Sequence, residues 1–199
     1  MRAVRSTGAL VAALIALLAC PVLFAASPPE GAEIRDVQVR NTPSDLFVSF
    51  VLHGAFTDDI REQIRTGLPV TFTHYVEIVN KRTAWFDTTL VKKEISTTVT
   101  YDTLTRQYRL TRSVNGEMTE TELTDRAAEM ESFMTTVKRQ RLCDPNDLPG
   151  DRRLSLRVKS RMRRRFVFFF IPWNLETSWA RIGLSLPSAQ EPPAGGSVP

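Results

Sequence analysis

The chain has 199 residues, 42% hydrophobic and 24% charged, with 26 lysines and arginines against 22 aspartates and glutamates. That composition excludes a chain too polar to build a core, and the length suits one folded domain with short extensions. Two histidines and two cysteines leave little for a metal cluster or a disulfide framework, so the fold must rest on apolar burial.

The N-terminal stretch is not expected to belong to the fold. Arg2 and Arg5 precede an uncharged span from Ser6 to Pro29, which holds the apolar run ALVAALIALLA and then Ala25, Ala26 and Ser27. A basic start, an apolar centre and small residues make an export signal over residues 1–26. Three fates fit it: cleavage after Ala26, a lipobox "LLAC" ending at Cys20, or an uncleaved anchor. The 21 uncharged residues from Thr7 to Ser27 are enough to span a bilayer. Loss of residues 1–26 removes two arginines and no acid, leaving 24 bases against 22 acids, a net charge of +2. Cys143 is then alone and cannot form an internal disulfide. At the other end, residues 187–199 (PSAQEPPAGGSVP) read as a disordered tail rich in proline and glycine. A single exported domain is expected over residues 33–186.

Within that domain, AEIRDVQVR alternates as a strand with mixed faces, and DLFVSFVLHGAF reads as a buried strand. TDDIREQIRTGLP is punctuated as a short helix. Thr57 caps it, Asp58 and Asp59 suit its positive end, Ile60 and Ile64 share a face, and Gly67 with Pro69 stops it. A strand begins at Val70, and a threonine- and aromatic-rich meander follows, with Asn115-Gly116 set for a two-residue hairpin. In TDRAAEMESFMTTVKRQ, the spacing of Leu123, Ala127, Met130, Met134 and Val137 predicts the main helix, running to Gln140. Turn residues, a basic strand, an aromatic run and a last strand around ARIGLSLP complete the domain. The expected class is α+β: a curved, mostly antiparallel sheet of about eight strands with one short and one longer helix on one face.

Catalytic chemistry is hard to find. His53 and His74 lie inside predicted strands without a second ligand at metal spacing, which suits structural histidines. Cys143 sits in a turn with no base nearby in sequence. The carboxylate pairs Asp58/Asp59 and Asp144/Asp147 are accounted for by a helix dipole and by turn geometry. No nucleophile-elbow, phosphate-loop or dinucleotide motif occurs. No catalytic, cofactor-binding or metal-binding residue is expected, and the protein reads as a non-enzyme.

The richest stretch is RRLSLRVKSRMRRRFVFFFIPW. Leu154, Leu156, Val158 and Met162 alternate with Arg153, Arg157, Lys159, Arg161, Arg163 and Arg165, giving one apolar and one cationic strand face. The cations suit a solvated face paired with Glu117, Glu120 and Glu122 of a neighbouring strand, or an anionic lipid surface, or another polyanion or acidic protein. Nucleic acid is set aside by export. Phe166, Phe168, Phe169, Phe170 and Trp173 have lost the alternation and form either core or an interfacial anchor.

Taken together, EIRDVQVR, GLPVTFTHYVEI, YDTLTRQYRL and WNLETSW resemble domain-of-unknown-function family 4390, exported proteobacterial proteins of about this size. The resemblance spans residues 33–186 and carries over no catalytic role. It implies a periplasmic, envelope accessory or sensing role, since genes of the family often lie near those of membrane sensor kinases of the nitrogen-regulation type. The function expected is a non-catalytic binding or accessory module that contacts a membrane or envelope protein through the basic strand and aromatic segment. The alternative is a carrier of small apolar ligands, with a groove between the sheet and the Met130, Phe133 and Met134 side of the main helix.

Overall fold

The computed structural model describes residues 31–81, 87–149, 153–163 and 174–184. The expected signal, the tail and the segment Arg165 to Trp173 lie outside the described residues.

Two antiparallel sheets form one above the other. The smaller has three strands in the order β1 (Glu33–Asn41), β2 (Leu46–His53), β7 (Thr136–Cys143). The larger contains β3 (Val70–Asn80), β4 (Thr88–Asp102), β5 (Gln107–Val114), β6 (Glu117–Thr124), β8 (Leu154–Arg163), β9 (Asn174–Glu176) and β10 (Ala180–Leu184). Its order is β10-β8-β3-β4-β5-β6, and β9 pairs with β8 beyond the end of β10. The α+β class holds. The expected single sheet of about eight strands is instead ten strands in two sheets among the described residues.

Alternation explains why the sheets stack. In β2, Leu46, Val48, Phe50 and Leu52 are buried; the first three meet Val76 and Ile78 of β3, Ile95 of β4, and Leu156 and Val158 of β8, while Leu52 joins a second cluster. Burying a side chain of this size stabilises the fold by about 1.5–3 kcal/mol relative to leaving it in water. A second apolar cluster lies beside the first. Here Ile60 and Ile64 of α1 (Asp58–Arg65) and Met130, Phe133 and Met134 of α2 (Ala127–Thr135) cover Val70, Phe72, Val99 and Leu110 of the large sheet. The helices therefore share a layer with the small sheet, on one face of the large one, as expected.

Local chemistry accounts for most boundaries. Thr57 Oγ1 accepts from Ile60 N at 3.4 Å at the start of α1, with Asp58 and Asp59 in its first turn. Between β5 and β6, Asn115 and Gly116 hold φ of 52° and 86°, the left-handed pair that a two-residue hairpin needs. The main helix is shorter than expected. It ends at Thr135, and the chain passes directly into β7. Val137 fits the helical spacing, but it is equally an inward position of a strand, and β-branched Thr135, Thr136 and Val137 favour the strand. Leu123 belongs to β6, not to the helix stripe. Among the described residues no helix is long and apolar enough to cross a membrane.

Gly54, directly after β2, holds φ 67°, and a Cβ there would collide with the carbonyl group of Gly31. Gly54→Ala is expected to cost on the order of 2 kcal/mol, read as a lowered urea midpoint with an unchanged slope.

Candidate functional site

The cationic strand forms as its alternation predicts. Leu154, Leu156, Val158 and Met162 of β8 are buried, and Arg157, Lys159 and Arg161 reach the outer face of the large sheet. Sheet order then decides their partners. β8 lies between β3 on one side and β9 with β10 on the other, so Arg157 stands opposite Glu77, and Arg161 opposite Glu176. The Arg157 guanidinium donates to Glu77 Oε2 from Nε at 2.8 Å and from Nη2 at 2.6 Å. One Glu176 carboxylate receives both Arg161 Nε, at 2.6 Å, and the Lys159 ammonium. Lys159 first, and then Arg161, hold the Glu176 carboxyl below its ordinary range against the effect of burial.

Aromatic rings complete the array. Arg157 lies 4.7 Å from the centroid of Trp179, and Arg161 lies 5.3 Å from that of Tyr75. Arg157, Lys159 and Arg161 thus form an ion-paired network, not a row of free cations. The expected partners Glu117, Glu120 and Glu122 are on β6, at the far edge of the sheet, and do not meet β8. Arg153 is exposed just before the strand, and Arg163 ends it. Arg165, with Phe166, Phe168, Phe169, Phe170 and Trp173, lies outside the described residues. Tyr75 and Glu77 were open to discovery in the sequence, as odd positions of VTFTHYVEI that share a face; Glu176 gave no such signal.

The other titratable groups sit in structural settings. His74 is fully buried, with Nδ1 2.6 Å from Ser160 Oγ and its ring edge-on to Phe50 at 5.3 Å. Burial, helped by the positive charge of Arg112, lowers its pKa to about 4. His53 lies 3.9 Å from Asp36. Burial pushes the Cys143 thiol above its ordinary range, away from the reactive thiolate. Among the described residues no group of three or more His, Cys, Asp or Glu side chains could hold a metal ion.

A cleft of about 620 Å³ opens where the large sheet extends beyond the shorter layer above it. Arg112, Glu120 and Glu122 form one wall; Glu129, Phe133 and Lys138, from α2 and β7, form the other. This is not the apolar groove expected beside the main helix. Met130 and Met134 are 3% and 0% exposed inside the core, and of the three apolar residues named for the groove only Phe133 reaches the cleft.

A family model described as "Domain of unknown function (DUF4390)" matches residues 29–182. The chain belongs to this family. Neither the curated proteins nor the solved structures contain a match. In this DUF4390 domain β1, β7, β10 and β6 end their sheets among the described residues, and β6 is bonded to β5 alone. Met118 and Leu123, opposite Ser113 and Arg109 of β5, lie on the outer face and are 71% and 61% exposed. Glu120 and Glu122, opposite Arg112 and Leu110, turn to the cleft. Arg112 pairs with Glu120 at 2.7 Å, whereas Glu117 and Glu122 have no cation within ion-pair distance among the described residues.

Proposed function

We propose that the protein is an exported, non-catalytic module of the cell envelope that takes an extended segment of a protein partner along the free edge of β6. The signal-like layout of residues 1–26 supports export. The observation that carries the binding site is a single strand with recognition chemistry on both sides of its pleat. Its outer side offers Met118 and Leu123, its inner side Glu120 and Glu122, and its main chain is bonded on one edge only. Glutamates on an edge guard against unwanted pairing, but two exposed apolar side chains on the same strand work the other way. A strand added here would gain main-chain hydrogen bonds, with its side chains alternating between the apolar and the acidic surface. The complementary partner sequence therefore alternates apolar and basic residues.

The β8 face is the weaker candidate for a membrane contact. Bringing Arg157, Lys159 and Arg161 to anionic lipid would also bring Glu77 and Glu176, which already pair with them and leave one net positive charge among the five.

A short peptide alternating valine and lysine serves as the probe. It is expected to bind the protein, and Glu122→Lys and Leu123→Lys should each weaken it about tenfold. Methylating the backbone nitrogens along one edge of the peptide should abolish binding. If the methylated peptide, or one with glutamate in place of lysine, binds as tightly, strand addition at β6 is wrong.

A further inference from the structure

The outer face of the small sheet carries a second set of cations, two of which have no carboxylate partner among the described residues. Arg40 of β1 and Arg141 of β7 both stand opposite Phe47 of β2, so the three side chains form one row across the sheet. Arg141 is occupied: its Nε donates to Asp45, which raises its own pKa and lowers that of the carboxyl. Arg139 reaches the same ring, its guanidinium 5.5 Å from the Phe47 centroid. Neither Arg40 nor Arg139 has a carboxylate within ion-pair distance among the described residues.

These two arginines open onto a recess of about 460 Å³, whose apolar walls are Val37, Val39, Phe47 and Ile182. Bulges shape it from both sides. β1 shifts register between Arg35 and Gln38, and the β2–β7 pairing shifts between Val48 and Phe50. Bulges re-aim side chains, and Arg139 itself holds a left-handed φ of 47°, which a non-glycine residue keeps only at a cost. Its main-chain N–H donates to Ser49 Oγ at 3.0 Å, which leaves the Ser49 hydroxyl proton available to an acceptor in the recess.

We propose that this recess binds an organic anion with a carboxylate or phosphate group on an apolar body. Two guanidinium groups without internal counter-ions supply paired donors of the geometry that carboxylate and phosphate oxygens accept. The valine, isoleucine and phenylalanine wall takes the apolar body, and the volume lies within the roughly 300–1,000 Å³ of small-molecule sites. The same chemistry is offered by a free amphiphile and by a lipid headgroup with the start of its chain.

Calorimetric titration of the protein with octyl phosphate tests this, with octyl glucoside as the neutral control. Octyl phosphate is expected to bind and octyl glucoside not to. Arg40→Gln and Arg139→Gln should each weaken binding about tenfold, and Arg153→Gln, at the exposed start of β8, should leave it unchanged. Arg40 and Arg139 are both exposed, so thermal melting of the variants should match the parent and separate lost binding from lost folding. Competition by phosphatidylglycerol vesicles would assign the anion to a bilayer, and lack of competition to a free amphiphile; both support the site. Absence of octyl phosphate binding, equal binding of octyl glucoside, or binding that survives both glutamine substitutions would overturn it.

Discussion

Lowering the pH from 6.5 towards 4 is expected to remove roughly 3 kcal/mol of stability through His74 alone. The unfolded chain takes up a proton on this imidazole near 6.5, whereas the folded protein resists until about 4. Between those values the unfolded state binds more protons, so stability falls as the pH falls. The contribution is complete above 6.5 and fully lost below about 4. Its causes are physical neighbours: complete burial among core side chains, and then the positive charge of Arg112. The depressed carboxyls of Glu176, Glu129, Asp45 and Asp102 begin to lose their contributions only as the pH falls into the ordinary carboxylate range, so the histidine has the upper part of the window to itself. Urea midpoints at pH 7.5, 5.5 and 4.5 measure the effect. His74→Asn can keep a hydrogen bond to Ser160 while removing the titration, and it should be less stable at neutral pH but nearly flat across the window. An unchanged slope in this variant would place the acid sensitivity elsewhere.

The sequence made some of this plain and hid the rest for identifiable reasons. β8 was legible because period two puts Leu154, Leu156, Val158 and Met162 on one face, whatever the neighbours are. Its ion pairs were not, because they depend on strand order: β3 and β9 flank β8 while the glutamates of β6 lie at the opposite edge. α1 was legible through Thr57, Ile60, Ile64 and Gly67, each with a local role. The end of α2 was not, since Val137 satisfies a three-residue step from Met134 and also an inward strand position. That ambiguity had a consequence for function. Reading TTVKRQ as helix hides β7, and with it the meeting of Arg139 with Phe47 and Ser49 across the small sheet. The same reading placed an apolar groove under a longer helix, where the chain instead leaves a polar cleft beside β6.

Replacing Arg112 by methionine is expected to cost about 3 kcal/mol. Its side chain is 15% exposed and serves four groups at once. Nη2 donates to the carbonyl oxygens of Phe133 at 2.9 Å and Thr136 at 3.3 Å, Nη1 pairs with Glu120 at 2.7 Å, and the guanidinium lies 4.3 Å from the Phe133 ring centroid. Those carbonyls flank the point where α2 becomes β7, the end at which a helix leaves acceptors without partners and favours a positive charge. Burial lowers the Arg112 pKa, while Glu120 and Glu122 oppose that shift. Methionine keeps much of the volume but strands two carbonyls and a glutamate. Arg112→Lys should recover only part of the loss, because one ammonium cannot reproduce a fork that spans both carbonyls and a carboxylate. In a double-mutant cycle, Glu120→Gln should lose less in the methionine background than in the parent, with a coupling of about 1 kcal/mol. The His74 and Arg112 predictions are also linked. Arg112 helps to keep His74 neutral, so its removal should raise the histidine pKa and narrow the acid-sensitive window from its lower end. A window of unchanged width in Arg112→Met would show that burial alone sets the His74 proton affinity.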